Sequence, residues 1–288
     1  MSIRTPNIND YLRIPSEKSE CSIEDNNNKQ MKIHFYKYQG TGNDFILIDN
    51  RSLIFPKENT KLINALCDRR FGIGADGLML LENEADYDFK MVYYNADGNE
   101  STMCGNGGRC IASFAALLNI VQKDGKFIAI DGEHDFEIAD AAVKLKMINV
   151  SEIRQQVNNY ILFTGSPHYV SFRNAIDAIK IVEEARKIRY NDEFSKEGIN
   201  VNFVEEKNDK IYMRTYERGV EDETLSCGTG TVAVALSIAE KHQLSQGKIE
   251  IQTPGGILFV SFEKQGTIFT NIWLEGAAQR VFEGDIDI

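Results

Sequence analysis

Short runs in which hydrophobic and polar residues alternate cover much of the chain, and this period of two is typical of β-strands. In the first half these runs predict strands at 32–38, 45–48, 77–82 and 88–94, with further strand-rich sequence at 126–150. Two segments favour helix instead, a short one at 60–70 and a more apolar one at 110–118. Strands therefore predominate, and the predicted helices are few and short.

The second half of the chain repeats the plan of the first. Cys104 and Cys227 each open a Cys-Gly-x-Gly motif followed by an apolar helix of small residues, and they stand 123 residues apart (227 − 104). The flanking strands recur as well, at 91–94 and 127–130 around the first motif and at 211–216 and 248–251 around the second. A coincidence of two Gly-rich helix starts would not repeat cysteine, glycines and helix together. We therefore expect two similar lobes, 31–150 and 151–288, each presenting one cysteine at a strand-to-helix turn.

Composition and charge narrow the function classes. With 42% hydrophobic and 26% charged residues over 288 positions, the chain can bury a sizeable core. Its formal charge of −11 argues against nonspecific binding to nucleic acid or to an anionic membrane. No apolar run approaches the roughly 20 residues that cross a bilayer. Residues 1–30 are polar, aperiodic and unlike a secretory signal, so we expect a disordered or loosely docked extension and a cytoplasmic protein.

The five cysteines form no CxxC pair, which argues against a disulfide framework or a structural zinc site. Cys67 and Cys110 lie in apolar helical patterns and are expected to be buried, while Cys21 lies in the extension. Cys104 and Cys227 differ because a helix start surrounds the sulfur with unpaired N–H groups and the positive end of the helix dipole. This location is expected to lower a thiol pKa from about 8.5.

Two such thiols, related by an internal repeat, suit an acid and a base on opposite faces of one substrate carbon. One thiolate removes the α-proton while the opposing thiol delivers another, and the reverse reaction exchanges the roles. Thiols can do this near neutral pH without a metal. The sequence thus favours an amino-acid racemase or epimerase.

Further polar residues stand close to the second motif. Glu217 and Arg218 end a strand just before Cys227, and although such neighbours usually form a solvated pair, a role in binding an ammonium and a carboxylate group is favoured. His168, taken alone, is equally compatible with a role in packing and a role in catalysis. The segment 72–77 matches GxGxxG, but a helix precedes it and a strand follows it, which is the reverse of a dinucleotide site.

Taken together, the motifs resemble those of the diaminopimelate epimerase family. They occur in the expected order at 40–45, 70–77, 95–98, 103–107, 165–168, 200–203, 217–219 and 226–230. The resemblance implies an α/β (α+β type) protein of two similar lobes related by a pseudo-twofold axis. Each lobe would be a curved mixed β-sheet or barrel around a central helix, with the active site in the cleft between the lobes. It also implies conversion of LL-2,6-diaminopimelate to the meso form without pyridoxal phosphate or metal, in lysine and peptidoglycan synthesis.

The same resemblance implies roles for individual residues. Cys104 would be the proton donor and Cys227 the proton acceptor in the LL-to-meso direction, with His168 and Glu217 modulating the thiol pKa. The positions that would hold substrate are Asn43, Asn95, Gly105, Asn106, Asn200, Glu217, Arg218, Gly228 and Thr229.

Three positions bear on finer properties. Ser166 stands where many members have asparagine, and Gly77 where some have glutamine. At both positions this chain therefore has a shorter side chain with which to reach the substrate. Phe282 lies where some members have a tyrosine at a dimer contact, which favours a homodimer.

Other interpretations stay open. Proline-type racemases and the phenazine-pathway isomerases share the implied fold, although the paired cysteines argue against the phenazine branch. A cysteine hydrolase would need one nucleophile with a dedicated histidine partner and would show burst kinetics. A thiol sensor would form a reversible disulfide without turnover.

Overall fold

The computed structural model describes residues 31–139 and 142–288. The extension predicted at 1–30, together with Cys21, lies outside the described residues.

Within these ranges the chain forms eighteen strands and four α-helices. The strands are β1 (Lys32–Gly40), β2 (Asn43–Asp49), β3 (Gly77–Glu82), β4 (Phe89–Asn95), β5 (Glu100–Ser101), β6 (Asp124–Ala129), β7 (Gly132–Ala139), β8 (Ala142–Lys146), β9 (Ile153–Gln156), β10 (Asn159–Phe163), β11 (Pro167–Phe172), β12 (Asn200–Lys207), β13 (Lys210–Glu217), β14 (Asp222–Thr224), β15 (Gln246–Thr253), β16 (Gly256–Gln265), β17 (Ile268–Ala277) and β18 (Gln279–Asp287). The helices are α1 (Thr60–Cys67), α2 (Gly105–Leu117), α3 (Ile181–Arg189) and α4 (Gly228–Lys241), with a 3₁₀ turn at Ile176–Ala178.

The two halves pair their strands in the same order and direction. In the first half β1–β2 is antiparallel, β2–β3 parallel, β3–β4 antiparallel and β4–β6 parallel. In the second half β10–β11, β11–β12, β12–β13 and β13–β15 repeat these directions. Antiparallel pairs then complete each half, β6–β7–β8 in one and β15–β16–β17 in the other. The predicted sequence repeat is therefore a repeat of topology, and the fold has two similar lobes of mixed sheet.

Two strand pairs join the lobes. β8 pairs with β17, so the sheets of the two lobes are continuous. The last strand, β18, returns to β1 and pairs with it from Lys32↔Asp287 to Gln39↔Gln279. The end of the chain thus completes the sheet of the first lobe, although it follows the second lobe in sequence.

A helix occupies the centre of each lobe. α2 packs inside the first sheet with residues such as Phe45 and Leu145, and α4 packs inside the second with residues such as Leu258 and Leu274. α4 is buried over almost its whole length, which explains why it is apolar on every side and built of small residues.

The first central helix starts earlier than the sequence predicts. It begins at Gly105 rather than near Cys110, and its first turns contain Gly107 and Gly108. Glycine disfavours helix, but a Cβ on Gly108 would lie 2.8 Å from Leu145 Cδ1, so close packing requires its absence. Tertiary contacts therefore override local propensity.

None of the helices in the described part of the chain has the length and apolar character to span a bilayer.

Candidate active site

The two repeated cysteines occupy equivalent structural positions. Cys104 is the N-cap residue of α2 and Cys227 that of α4, each with an extended backbone. The Gly107 N–H donates to Cys104 Sγ over 3.2 Å, and the Gly230 N–H donates to Cys227 Sγ over 3.4 Å. Each sulfur thus takes the place of the side-chain oxygen that usually caps a helix.

Both cysteines line one cleft of about 980 Å³ between the lobes. The cleft brings together the predicted site residues with two exceptions, His168 and Gly77, which lie behind its surface. The predicted residues that line it are Asn43, Asn95, Cys104, Gly105, Asn106, Ser166, Asn200, Glu217, Arg218, Cys227, Gly228 and Thr229.

On the first-lobe side an amide oxygen faces the sulfur. Asn43 Oδ1 lies 3.8 Å from Cys104 Sγ. The amide nitrogen of Asn43 donates to the Asp76 carboxylate, which also accepts from Arg69 Nη2 at 2.6 Å. Because Asp76 holds the nitrogen, the oxygen of Asn43 is turned toward the sulfur, where it can accept a hydrogen bond from a protonated thiol.

On the second-lobe side a hydroxyl group faces the sulfur. Thr229 Oγ1 lies 3.5 Å from Cys227 Sγ and 2.9 Å from His168 Nε2. His168 is completely buried. Burial, reinforced by the charge of Arg218, lowers the pKa of His168 to about 3, so the imidazole is neutral at physiological pH. His168 therefore reaches Cys227 through the hydroxyl of Thr229.

Both thiols are held in the protonated form. Burial raises the pKa of Cys104 to about 11 and that of Cys227 to about 12. The negative charge of Glu217 adds to the rise at both sulfurs, and burial also raises the pKa of Glu217 itself. The N–H groups of the helix starts do lower the thiol pKa, as the sequence predicts, but desolvation outweighs them.

Asn200 ties the predicted binding residues of the second lobe together. Its Oδ1 accepts from the Arg218 main-chain N–H at 2.8 Å, and its Nδ2 donates to Ser166 Oγ at 2.9 Å and to the Pro167 carbonyl at 3.1 Å. The guanidinium of Arg218 donates to the Glu197 carbonyl at the exposed rim. Ser166 thus lies in the cleft where the resemblance places it, with its hydroxyl oriented by Asn200.

The Asn106 side chain is engaged within the protein. Its Nδ2 donates to Ser226 Oγ at 3.0 Å, and its Oδ1 accepts from Arg109 Nη2 at 2.9 Å and from Thr41 Oγ1 at 3.3 Å. Ser226 Oγ in turn donates to the Thr41 carbonyl at 2.8 Å. This buried network joins the two lobes directly beneath the cleft, so the group that Asn106 can offer to a ligand is its main-chain N–H in the first turn of α2.

Gly77 lies behind the ring of Tyr93. A Cβ at position 77 would lie 2.5 Å from Tyr93 Cε2, 2.9 Å from its hydroxyl and 2.5 Å from the Tyr94 carbonyl oxygen. Tyr93 itself lines the cleft. Its hydroxyl therefore occupies the space beside position 77.

Sequence reasoning missed three residues that shape the site: Asp76, Tyr93 and Asn202. Asp76 and Asn202 stand inside the motifs that carried the resemblance, so a signal was available for both. Tyr93 lies in the alternating pattern of β4, where it cannot be told from an ordinary core residue. In the described ranges, no group of three His, Cys, Asp or Glu side chains is arranged to hold a metal ion.

Comparison with known proteins agrees with the repeat of two similar lobes. The diaminopimelate epimerase family profile matches residues 35–151 and again residues 160–281, once in each lobe. The diaminopimelate epimerase of Flavobacterium psychrophilum is 54% identical over 256 residues, covering 88% of this chain and 100% of the relative. That of Chlorobaculum tepidum is 41% identical over 259 residues, covering 86% and 99%.

Among solved structures, a phenazine biosynthesis protein of the PhzF family from Bacillus anthracis superimposes with a TM-score of 0.69. The match covers 90% of this chain and 100% of that one, at 13% sequence identity. At that identity the likeness concerns the fold, and it agrees with the two-lobed architecture described above.

Proposed function

The chain belongs to the diaminopimelate epimerase family, and from this premise we propose that it converts LL-2,6-diaminopimelate to meso-2,6-diaminopimelate by proton transfer between Cys104 and Cys227. The observation that carries the proposal is the placement of these two cysteines as N-caps of equivalent helices from opposite lobes, both lining one cleft. An acid and a base on opposite faces of a carbon are what inversion requires.

The hydrogen-bond partners of the two sulfurs support a division of roles. Cys104 faces the amide oxygen of Asn43, an acceptor that suits a thiol which still carries its proton. Each sulfur also accepts a helix-start N–H, so the difference lies in the other partner: Cys227 faces the Thr229 hydroxyl, which can donate to a thiolate. In the LL-to-meso direction Cys227 takes the α-proton and Cys104 delivers one to the other face. In the reverse direction the roles exchange.

The cleft offers complementary groups for the charges of an amino acid. First-turn N–H groups of α2 and α4, at Gly105, Asn106, Gly228 and Thr229, suit the carboxylate at the reacting carbon. Glu217 and Arg218 suit an ammonium and a carboxylate, respectively. Asn43, Asn95, Ser166 and Asn200 line the remaining walls of the cleft.

Ionisation of Cys227 is coupled to substrate binding in this proposal. Burial and the charge of Glu217 keep the thiol protonated while the cleft is without substrate. A substrate ammonium beside Glu217 cancels that charge, so the cost of forming a thiolate falls as substrate enters. His168 acts on the same sulfur through Thr229.

The wider context follows from the same assignment. We place the enzyme in the cytoplasm and in the synthesis of lysine and peptidoglycan precursors. The two lobes, 31–150 and 151–288 in sequence, are proposed to be the units that close on substrate, with β18 moving with the first lobe because it pairs with β1. A homodimer is proposed through β18, where Val281 and Phe282 are exposed.

The test is incubation with LL-diaminopimelate in deuterium oxide without added cofactor, following deuterium at the α-carbon by NMR. Uptake with formation of the meso isomer is expected from the native chain, and no meso isomer from Cys104→Ala or Cys227→Ala variants whose circular dichroism is unchanged. Near-normal turnover in either variant would remove the two-base mechanism. Deuterium uptake with proline but not with diaminopimelate would favour a proline-type racemase.

A further inference from the structure

We propose that Asn202 is a positioning residue of the epimerase: it fixes which ring nitrogen of His168 carries the hydrogen, and through His168 it directs the hydroxyl proton of Thr229 at the Cys227 sulfur. This inference rests on the proposed function and deepens it. Asn202 lies on β12, is completely buried and stands behind the cleft wall.

The orientation of the Asn202 amide is determined by its neighbours. Its Nδ2 lies 3.2 Å from the Tyr169 carbonyl oxygen, a group that can only accept. The atom on that side must therefore be the NH₂ group. Its Oδ1 accepts from the Thr215 hydroxyl at 3.0 Å, which agrees with this orientation.

The amide orientation fixes the hydrogen on His168. The second hydrogen of Asn202 Nδ2 points at His168 Nδ1, 3.1 Å away, so Nδ1 must be the bare, accepting nitrogen. Burial keeps the ring neutral. The single ring hydrogen must then lie on Nε2, which donates to Thr229 Oγ1 over 2.9 Å.

Asn200 does not compete for Nε2. Its Nδ2 stands 3.5 Å from that atom, but its two hydrogens are engaged by Ser166 Oγ at 2.9 Å and the Pro167 carbonyl at 3.1 Å. Its orientation is set by the Arg218 N–H that its Oδ1 accepts. The contact with His168 is therefore van der Waals rather than a hydrogen bond.

A Thr229 hydroxyl that accepts from His168 retains its own proton to donate. Cys227 Sγ lies 3.5 Å from this hydroxyl, and this hydrogen bond lowers the thiol pKa against the effect of burial. The other charged or titratable groups acting on Cys227 are Glu217 and Cys104, which both raise its pKa, and Arg218 faces His168. The path from Asn202 thus ends in a donor aimed at the sulfur.

The first lobe supplies an internal comparison. At the repeat offset of 123 residues, His168 corresponds to Phe45 (168 − 45) and Asn202 to Met79 (202 − 79). The strand registers agree, because Phe45 pairs with Gly77 and Leu47 with Met79, as His168 pairs with Asn200 and Val170 with Asn202. Apolar side chains therefore replace both His168 and Asn202 in the first lobe. The equivalent of Thr229 is Asn106 (229 − 123), whose side chain is engaged by Ser226 and Arg109, so the path belongs to Cys227 alone of the pair.

The direct test is the protonation of the His168 ring, read by two-bond ¹⁵N–¹H correlation on protein labelled at its four histidines. Assignment uses a His168→Gln variant. The native ring is expected to show a bare Nδ1 and a protonated Nε2, and Asn202→Asp, which offers an acceptor in place of the donor, should protonate Nδ1. A native ring protonated at Nδ1, or an Asn202→Asp ring still bare there, overturns the proposal.

The second test follows the effect to the sulfur. Alkylation by iodoacetamide at pH 8.5, quantified by mass spectrometry as the ratio of Cys227 to Cys104 labelling, reports the thiolate fraction of Cys227 with Cys104 as internal standard. Asn202→Met, which installs the first-lobe residue, should lower this ratio roughly fivefold, the size expected for one hydrogen bond. Thr229→Val should do the same, and Thr229→Ser should restore the native ratio.

A double variant separates this path from a general disturbance. If Asn202 acts through Thr229, adding Asn202→Met to Thr229→Val should leave the ratio where Thr229→Val alone puts it. An equal further drop in the double variant overturns the proposal. Thr215→Val is the matched control, since it removes a hydrogen bond from the same amide but leaves both Nδ2 donors in place, and its ratio should stay native.

Neither measurement uses diaminopimelate. A native chain with the expected ring protonation and labelling ratios but without epimerase turnover would count against the proposed function alone. Turnover with the wrong ring protonation would count against the role of Asn202 alone.

Discussion

Gly105 and Gly228 meet at the boundary between the lobes so closely that a Cβ on Gly228 would lie 3.2 Å from Gly105 Cα. Each glycine is the first residue of its helix and follows one of the paired cysteines directly. Leu274 closes the remaining side, since a Cβ on either glycine would lie 2.9 Å from its Cδ2. The two helix starts therefore approach backbone to backbone, which lets cysteines from opposite lobes share one cleft.

Gly228→Ala should separate the helix starts. The added methyl must displace the Gly105 backbone or Leu274, a strain of about 1–3 kcal/mol by the usual cost of overpacking. We expect kcat to fall at least about tenfold, because a proton-transfer pair tolerates little misplacement. Steady-state kinetics and thermal unfolding measure the two effects.

Gly247→Ala is the matched control for this substitution, since a Cβ there meets Phe262 Cζ only at 3.9 Å. It should leave both kinetics and unfolding unchanged. Normal turnover in Gly228→Ala would show that the close approach of the glycines is unnecessary for catalysis.

The thiols of the substrate-free enzyme should resist alkylation near neutral pH. Burial raises the pKa of Cys104 to about 11 and of Cys227 to about 12, so the thiolate fraction increases only as the pH rises toward those values. At pH 8.5 iodoacetamide should label both at least about a hundredfold more slowly than in urea-unfolded protein, since one pKa unit changes the thiolate fraction tenfold. Equal rates in the two states would contradict the raised pKa values.

Glu217→Gln should have the opposite effect and make the thiols more reactive. Its negative charge raises the pKa of both sulfurs, so the neutral amide should lower both and speed alkylation at a fixed pH. Turnover should nevertheless fall, because the variant loses the group proposed to meet the substrate ammonium. Slower alkylation in Glu217→Gln would show that the carboxyl group stabilises the thiolates instead.

The comparison of Glu217→Gln with the native chain isolates charge, because the two side chains are almost the same size. Asp222→Asn is the control, since that carboxylate lies on an exposed part of β14. It should leave both labelling rates at the native level.

The repeat explains why so much of the site could be predicted from sequence. A shared offset of 123 residues places Cys104 and Cys227 at equivalent turns, and equivalent turns in two lobes of one topology face a common cleft. Local patterns and this internal comparison were enough for the two cysteines, whereas Asn43, Asn95 and Asn200 were predicted from the family resemblance.

Other properties depend on three-dimensional context that a pattern does not carry. A helix start lowers a thiol pKa, but the sign of the net shift at Cys104 is decided by desolvation, which sequence does not reveal. The resemblance predicts that Asn106 holds substrate, yet its side chain is hydrogen-bonded to Ser226 and Arg109. Likewise, nothing local distinguishes β18 from a strand of the second lobe, although it pairs with β1.

Position 77 provides a last prediction, because the family resemblance implies that glutamine is an alternative to glycine there. In this chain Gly77→Gln should impair rather than improve the enzyme. Its Cβ would lie 2.5 Å from both Tyr93 Cε2 and the Tyr94 carbonyl oxygen, and the carbonyl belongs to the backbone of β4 and cannot rotate away. We expect a loss of stability of about 1–3 kcal/mol and a lower kcat/KM, measured by thermal unfolding and by epimerisation rates, whereas Gly247→Gln should change neither.

Tyr93→Phe separates the contribution of the Tyr93 hydroxyl to substrate binding from the space that its ring occupies beside position 77. It removes the hydroxyl but leaves the ring, so it should keep the native melting temperature while raising KM if the hydroxyl contacts substrate as its place in the cleft predicts. The ring and the Tyr94 carbonyl would still exclude a side chain at position 77, so Gly77→Gln should be as destabilising in the Tyr93→Phe background as in the native one. Wild-type stability of Gly77→Gln in either background would mean that the backbone of β4 can move, and that glycine at 77 is not required by packing.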